Sequence, residues 1–211
     1  MQIRDLYENY HIMPQLETHM LRVAGVGKIV AENWRHGCNT KLATDLCLVH
    51  DMGNIVKFNL QDDVDRQKFG EIENLPYWQM IQQKYWDKYG HDAHDATIGI
   101  LRDAGFPQFE SYIDEEESLY FAEAREEKLG QARAEAIILM YSDCRVTPGG
   151  VVSYRERVND LKDRYGTRSE TWYDWTFWFD EWMQNQVTID LQSITDSTVE
   201  PLFDELLTYT I

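Results

Sequence analysis

Apolar residues recur at helical spacing through most of this chain, and almost nowhere do they alternate with a period of two. Between Pro14 and Trp34 the positions Leu16, Met20, Val23, Ala24, Val26, Ile29 and Val30 fall on one stripe. That is the pattern of a helix burying one face rather than of a half-buried strand. Pro14 suits a first helical turn, where its missing N–H costs nothing. Similar readings predict helices over 41–52, over 77–89 behind Pro76, over 91–104, 111–128, 131–141 and 154–165. Gly90, Gly105-Phe106-Pro107 and Thr147-Pro148-Gly149-Gly150 punctuate them. Residues 1–13 read as a short lead-in, and 59–75 as a loop or short helix. The tail from 188 to 211 reads as one further helix after Pro201. The expected fold class is all-α.

A chain of 211 residues is long enough for one substantial core and cramped for two domains. With 37 acidic and 20 basic residues its formal charge is −17, so a nucleic-acid polymer would be repelled over most of the surface. A small phosphorylated molecule is not excluded, because a metal and a few cations can reverse the field inside a pocket. Cys38, Cys47 and Cys144 are unevenly spaced and form no CxxC pair, which argues against a disulfide framework and for a reducing cytoplasm. The N-terminus lacks an apolar signal core and no apolar run approaches the ~18 residues of a membrane span. A cytoplasmic protein without membrane association is expected.

Four residues offer metal-ligand chemistry at helix ends or interiors: His19, the pair His50-Asp51, and Asp143 at the end of the run Ala134 to Tyr141. Neutral imidazole and carboxylate together suit a first-row divalent ion, with further coordination positions left for water or substrate. Gly53 sits where the second helix would stop, His50 and Asp51 falling in its last turn. Arg22 lies three residues after His19, close enough along a helix to face the same space.

The pattern resembles the HD-domain superfamily of metal-dependent phosphohydrolases, whose signature is His…His-Asp…Asp. The matching segments are Leu16-Glu17-Thr18-His19-Met20-Leu21-Arg22, Leu48-Val49-His50-Asp51-Met52-Gly53 and Tyr141-Ser142-Asp143-Cys144-Arg145-Val146. A later stretch, Val152-Ser153-Tyr154-Arg155-Glu156-Arg157, is similar to the Val-Ser-Leu-Glu-Glu-Arg of many bacterial members. The likeness covers roughly 8–165, so a helical domain over 1–165 carries an extension over 166–211 packed on it. One departure is Asn54, where many members place a lysine after the glycine; Lys57 and Arg22 are the cations that can stand in.

The resemblance implies an HD-like helical bundle in which His19, His50, Asp51 and Asp143 hold a divalent ion (Mn, Fe, Co, Ni or Zn), with room for a second. It implies hydrolysis of a phosphoester by a metal-activated water, on a small nucleotide-like or other phosphorylated metabolite. Asp51 would orient that water, and Arg22, Lys57 or His94 would stabilise the developing charge. His91 and His94 occupy an interval where some HD families place additional metal- or phosphate-binding histidines, which keeps a di-iron oxygenase in view. A non-catalytic, metal-binding regulatory protein is the alternative from another class.

Between Trp172 and Trp182 seven positions of eleven are aromatic, and the 172/175/179/182 spacing forms one helical stripe. Large aromatic stripes are core or subunit packing before they are anything else, so this one is a candidate homo-oligomer contact. A substrate-stacking wall is the sharper alternative. The acidic run Asp114-Glu115-Glu116-Glu117 reads as a solvated helix face.

Overall fold

Three helices build the middle of the molecule, and all the expected ligands are carried on them or at their ends. In the computed structural model, which describes residues 1–61, 70–121, 125–166 and 170–211, they are α2 (Pro14–Glu32), α3 (Thr40–Val49) and α8 (Ala134–Asp143). Each packs against both of the others. The apolar stripe of α2 is buried as its spacing requires, with Met20, Val23, Ala24, Val26 and Val30 inaccessible to solvent. Gly27 allows the close approach: a Cβ there would stand 2.6 Å from Cys47 Sγ on α3 and 3.3 Å from Ser142 Oγ on α8. Asn39 caps α3 by accepting from the Leu42 amide at 3.1 Å.

The remaining elements wrap this trio. They are α1 (Ile3–Asn9), a 3₁₀ turn at Asn54–Lys57, α4 (Leu75–Tyr89), α5 (Ala93–Asp103), a 3₁₀ turn at Pro107–Phe109, α6 (Glu110–Phe121) and α7 (Arg125–Leu129). After α8 come a two-stranded antiparallel hairpin, β1 (Val146–Thr147) and β2 (Gly150–Val151), then α9 (Tyr154–Tyr165) and α10 (Glu170–Gln186). The tail holds 3₁₀ turns at Leu191–Ser193 and Glu200–Leu202 around α11 (Asp196–Val199), and ends with α12 (Phe203–Leu207). The protein is all-α, with that hairpin its one small sheet among the described residues. Among the same residues no helix is long and apolar enough to cross a membrane. The three cysteines are free thiols.

The N-terminal stretch is not a lead-in. Residues 3–9 form α1, whose Ile3, Leu6 and Tyr7 enter the core, and the Tyr7 hydroxyl donates to the Leu48 carbonyl at 2.5 Å. Seven residues span barely two turns, too few for a helical period to stand out. The expected loop or short helix over 59–75 includes 62–69, which lie outside the described residues. The expected helix over 111–128 is represented by α6 and α7, with 122–124 outside them.

The C-terminal segment is pinned to the body by backbone pairing and by one buried cation. Arg35 N donates to Gln186 O at 2.8 Å, Thr188 N to Asn33 O at 3.0 Å, and Ile3 N to Tyr209 O at 3.0 Å. Arg145, 1% exposed, donates to the carbonyls of Leu191 (2.9 Å), Ile194 (3.0 Å) and Val152 (2.5 Å) and to the Tyr141 hydroxyl (3.0 Å). A guanidinium so far from water is tolerated because its donors are matched with acceptors in a fixed fork.

Among the described residues of the α10 stripe, Phe179, Trp175 and Trp182 make contacts within the chain. Phe179 is fully buried against Tyr141 and Tyr154, with ring centroids 6.2 and 5.7 Å away, and Trp175 stacks on it at 5.1 Å. Trp182 meets Trp34 edge-on. The side chains of Trp172 and Tyr173 lie outside the described part of the molecule. Nor is the acidic run of α6 simply solvated. Glu115 accepts from the Arg133 amide at 3.1 Å and pairs with its guanidinium, tying α6 to the start of α8.

Candidate metal centre

His19, His50, Asp51 and Asp143 converge, with one ligand atom from each lying within 4.8 Å of the others. The imidazole Nε2 of His19 is 3.1 Å from Asp143 Oδ1 and 3.4 Å from Asp51 Oδ2. His50 Nε2 stands 3.7 Å from both carboxylates, beyond hydrogen-bonding distance. His19 projects from the second turn of α2 and Asp143 is the last residue of α8. His50 is the residue that closes α3, and Asp51 follows in the turn beyond rather than in the helix.

The turn carrying Asp51 is held from behind by α5. Gly53 N donates to Thr97 Oγ1 at 3.0 Å, and a Cβ on Gly53 would meet Thr97 N at 2.4 Å and Ala93 O at 2.8 Å. The glycine therefore serves a close backbone approach; its φ of −85° is open to any residue. Thr97 carries no sequence signal of this role.

His50 forms the floor of the cluster at 6% side-chain exposure, whereas His19, Asp51 and Asp143 retain 20%, 23% and 25%. The site thus opens to solvent on one side. His50 Nδ1 lies 2.9 Å from the Cys47 carbonyl, which assigns the proton to that nitrogen and leaves Nε2 an acceptor. That Nε2 is buried without a hydrogen-bond partner. A buried imidazole nitrogen left unpaired, and oriented by a backbone carbonyl on its other nitrogen, is what a metal ligand presents. Two imidazoles and two carboxylates fit a first-row divalent ion, and their span is close to that of ligands about 2.0–2.2 Å from a shared centre.

The two carboxylates favour the charged form of both imidazoles. Burial works against a charged His19, but hydrogen bonds to Asp143 and Asp51 overcome it and raise its pKa to about 9. Burial also opposes the charge on His50, and the fields of Asp51 and Asp143 raise its pKa nonetheless. Both carboxyls lie well below their ordinary range. For Asp51, burial is outweighed by His50, Lys57 and His19; for Asp143, by His19 and His50. Lys57 is therefore within electrostatic reach of Asp51, from the 3₁₀ turn that follows it. Asn54, at the head of that turn, is 5% exposed.

The other two candidate residues are engaged elsewhere. Arg22 Nε lies 3.2 Å from Asp196 Oδ1 and its Nη2 3.9 Å from Glu200 Oε1, so its guanidinium faces the C-terminal segment. His94 places Nε2 2.8 Å from Asp114 Oδ1 and Nδ1 3.2 Å from Glu117 Oε2, joining α5 to α6. Those carboxylates sit on opposite edges of its ring and do not converge on one point. His91 packs its ring against Trp86 at 5.0 Å. Among the described residues, His19, His50, Asp51 and Asp143 are the metal-ligand cluster.

No protein-family model, curated protein or solved structure matches the chain. The site's own chemistry carries the functional reading.

Proposed function

We propose that the protein is a metal-dependent phosphohydrolase of the HD type, acting on a small nucleotide-like or other phosphorylated metabolite. The observation that supports this most is the meeting of His19, His50, Asp51 and Asp143 around one point, open to solvent on one side. His50 and His19 would hold the ion through neutral nitrogens and Asp51 and Asp143 through carboxylate oxygens. When bound, a divalent ion supplies Lewis acidity, acidifying water and drawing charge from a phosphoryl oxygen. Asp51 and Asp143, held anionic, can accept hydrogen bonds from an attacking water and orient it. Lys57 is the cation nearest in reading to the missing lysine at 54, and its charge acts at Asp51. The net charge of −17 favours a small substrate over a polyanion.

One observation favours a metal-binding protein without turnover: Asn54 is neutral and buried where a phosphate-binding lysine would stand. Nothing in the geometry favours the di-iron oxygenase, since His91 and His94 are committed to Trp86 and to Asp114 and Glu117. Elemental analysis of the purified protein beside His50→Ala, followed by a phosphate-release screen over phosphorylated nucleotides and sugars, tests the proposal. The expected result is about one transition metal per chain, lost in the variant, with phosphate released only by the loaded wild type. Metal uptake without release from any compound would leave the regulatory reading. No uptake of Mn²⁺, Co²⁺, Ni²⁺ or Zn²⁺ would end the metal reading altogether.

A further inference from the structure

Two neutral imidazoles, two carboxylates and a divalent ion sum to no net charge. In a protein of formal charge −17 such a centre has no long-range pull on an anion, so nearby cations must supply it. Lys57 is one, in the turn after Asp51. A second is Arg157, within electrostatic reach of Asp143. The hairpin pairs Val146 with Val151, and Val152 N donates to Arg145 O at 2.8 Å, which returns the chain to the end of α8. There Ser153 and Glu156 form a reciprocal cap that starts α9, and Arg157 lies in its first turn, its amide donating to Ser153 O at 3.1 Å. The hairpin therefore returns the chain to that helix end, where Tyr154, one turn before Arg157, stacks on Tyr141 of α8 with ring centroids 5.4 Å apart.

Arg157 has 14% of its side chain exposed, and among the described residues its ion pair is to Asp160, Nη1 to Oδ2 at 2.7 Å, within the same helix. Its Nε is buried with no hydrogen-bond partner. An orphaned guanidinium donor is costly, and a same-helix pair does not explain keeping the group so far from water. Burial opposes its charge, yet Asp143, Cys144 and Asp160 raise its pKa.

We propose that Arg157 is the residue that pairs with the substrate's phosphoryl group, its Nε–H and an Nη–H donating in parallel to two phosphoryl oxygens beside Asp143. The inference rests on the reading of the cluster as a phosphate-processing metal centre. It names the anion's partner, a role that the resemblance to HD-domain proteins assigns to Arg22, Lys57 or His94. A parallel fork of this kind requires the planar guanidinium; an ammonium at the same place supplies charge without the second donor.

The test uses the full chain loaded with Mn²⁺ and inorganic phosphate as the probe, in wild type, Arg157→Met and Arg157→Lys. Mn²⁺ affinity is read from the electron paramagnetic resonance of the free ion, and phosphate binding from ³¹P relaxation by the bound ion. The expected result is saturable phosphate binding by wild type, weakened by about tenfold or more in Arg157→Met with Mn²⁺ affinity unchanged, and by less in Arg157→Lys. If Arg157→Met does not fold, a several-fold weakening in Arg157→Lys carries the test. Equal phosphate binding in the folded variants would overturn the assignment while leaving the metal centre intact. So would a parallel loss of Mn²⁺ affinity, which would make Arg157 a support for Asp143. A wild type that takes up no Mn²⁺ would overturn the metal centre and this assignment together.

Discussion

His19 Nε2 and Asp143 Oδ1 lie 3.1 Å apart, although one belongs to the first long helix and the other ends a helix in the second half of the chain. Their hydrogen bond, with the one to Asp51, is what raises the His19 pKa to about 9 against its burial. A metal ion must displace that proton to bind. Divalent-metal affinity is therefore expected to strengthen as pH rises towards about 9 and then to level off; a calorimetric titration series with Mn²⁺ would show it. Affinity that is flat across this range would separate His19 from the metal.

The stability of the metal-free protein should run the other way. A folded pKa above the ordinary 6.5 means that His19 stabilises the fold fully below that value and loses the contribution as pH rises through about 9. The depressed carboxyls of Asp51 and Asp143 contribute above their ordinary 3.8 and lose it as pH falls further. In the presence of chelator, His19→Gln should accordingly destabilise more at about pH 6 than at about pH 9.5, as read by urea unfolding. A larger effect at the alkaline end would contradict the assigned direction.

Gly53→Ala should damage the site without touching a ligand. The added methyl would collide with backbone atoms of Ala93 and Thr97, and backbone cannot rotate aside as a side chain can. A cost of about 1–3 kcal/mol is expected from such overpacking. Because the displaced turn carries Asp51, metal affinity should fall as well. Both are measurable on one preparation, by denaturant unfolding and metal titration.

Arg145→Met should release the C-terminal segment. The change strips the carbonyls of Leu191, Ile194 and Val152 of their donor, with an expected loss of about 1–3 kcal/mol for each one left buried and unpaired. Limited proteolysis is then expected to cut beyond Gln186 faster than in wild type. Equal resistance would show that the pairing of Arg35, Thr188 and Ile3 with the tail suffices on its own.

Phe179→Ala should cost about 3–5 kcal/mol at unchanged molecular mass, since that ring is enclosed by Tyr141, Tyr154 and Trp175 of its own chain. Sedimentation beside thermal melting distinguishes this from a subunit contact. A fall in mass with little loss of stability would return the stripe to an interface.

The helices were legible in the sequence wherever they were long enough to repeat their apolar spacing. α2, α4, α5, α8 and α9 lie close to where Leu16 to Val30, Pro76, Gly90, Ala134 to Tyr141 and the amphipathic pattern of Tyr154 to Tyr165 place them. The types of the four candidate ligand residues were legible too, because imidazole and carboxylate at helix ends have few equivalents in chemistry. α1 was not, being too short to show a period, and neither was the fate of the cations. Arg22, Arg145 and Arg157 look alike as letters beside a motif, yet one meets Asp196, one is sealed under the tail, and one pairs with Asp160 on its own helix. Local spacing reports which face of an element is apolar. Which distant groups then share a space depends on how α2, α3 and α8 pack and on where the hairpin and tail return, and that is decided by contacts between residues far apart in the chain.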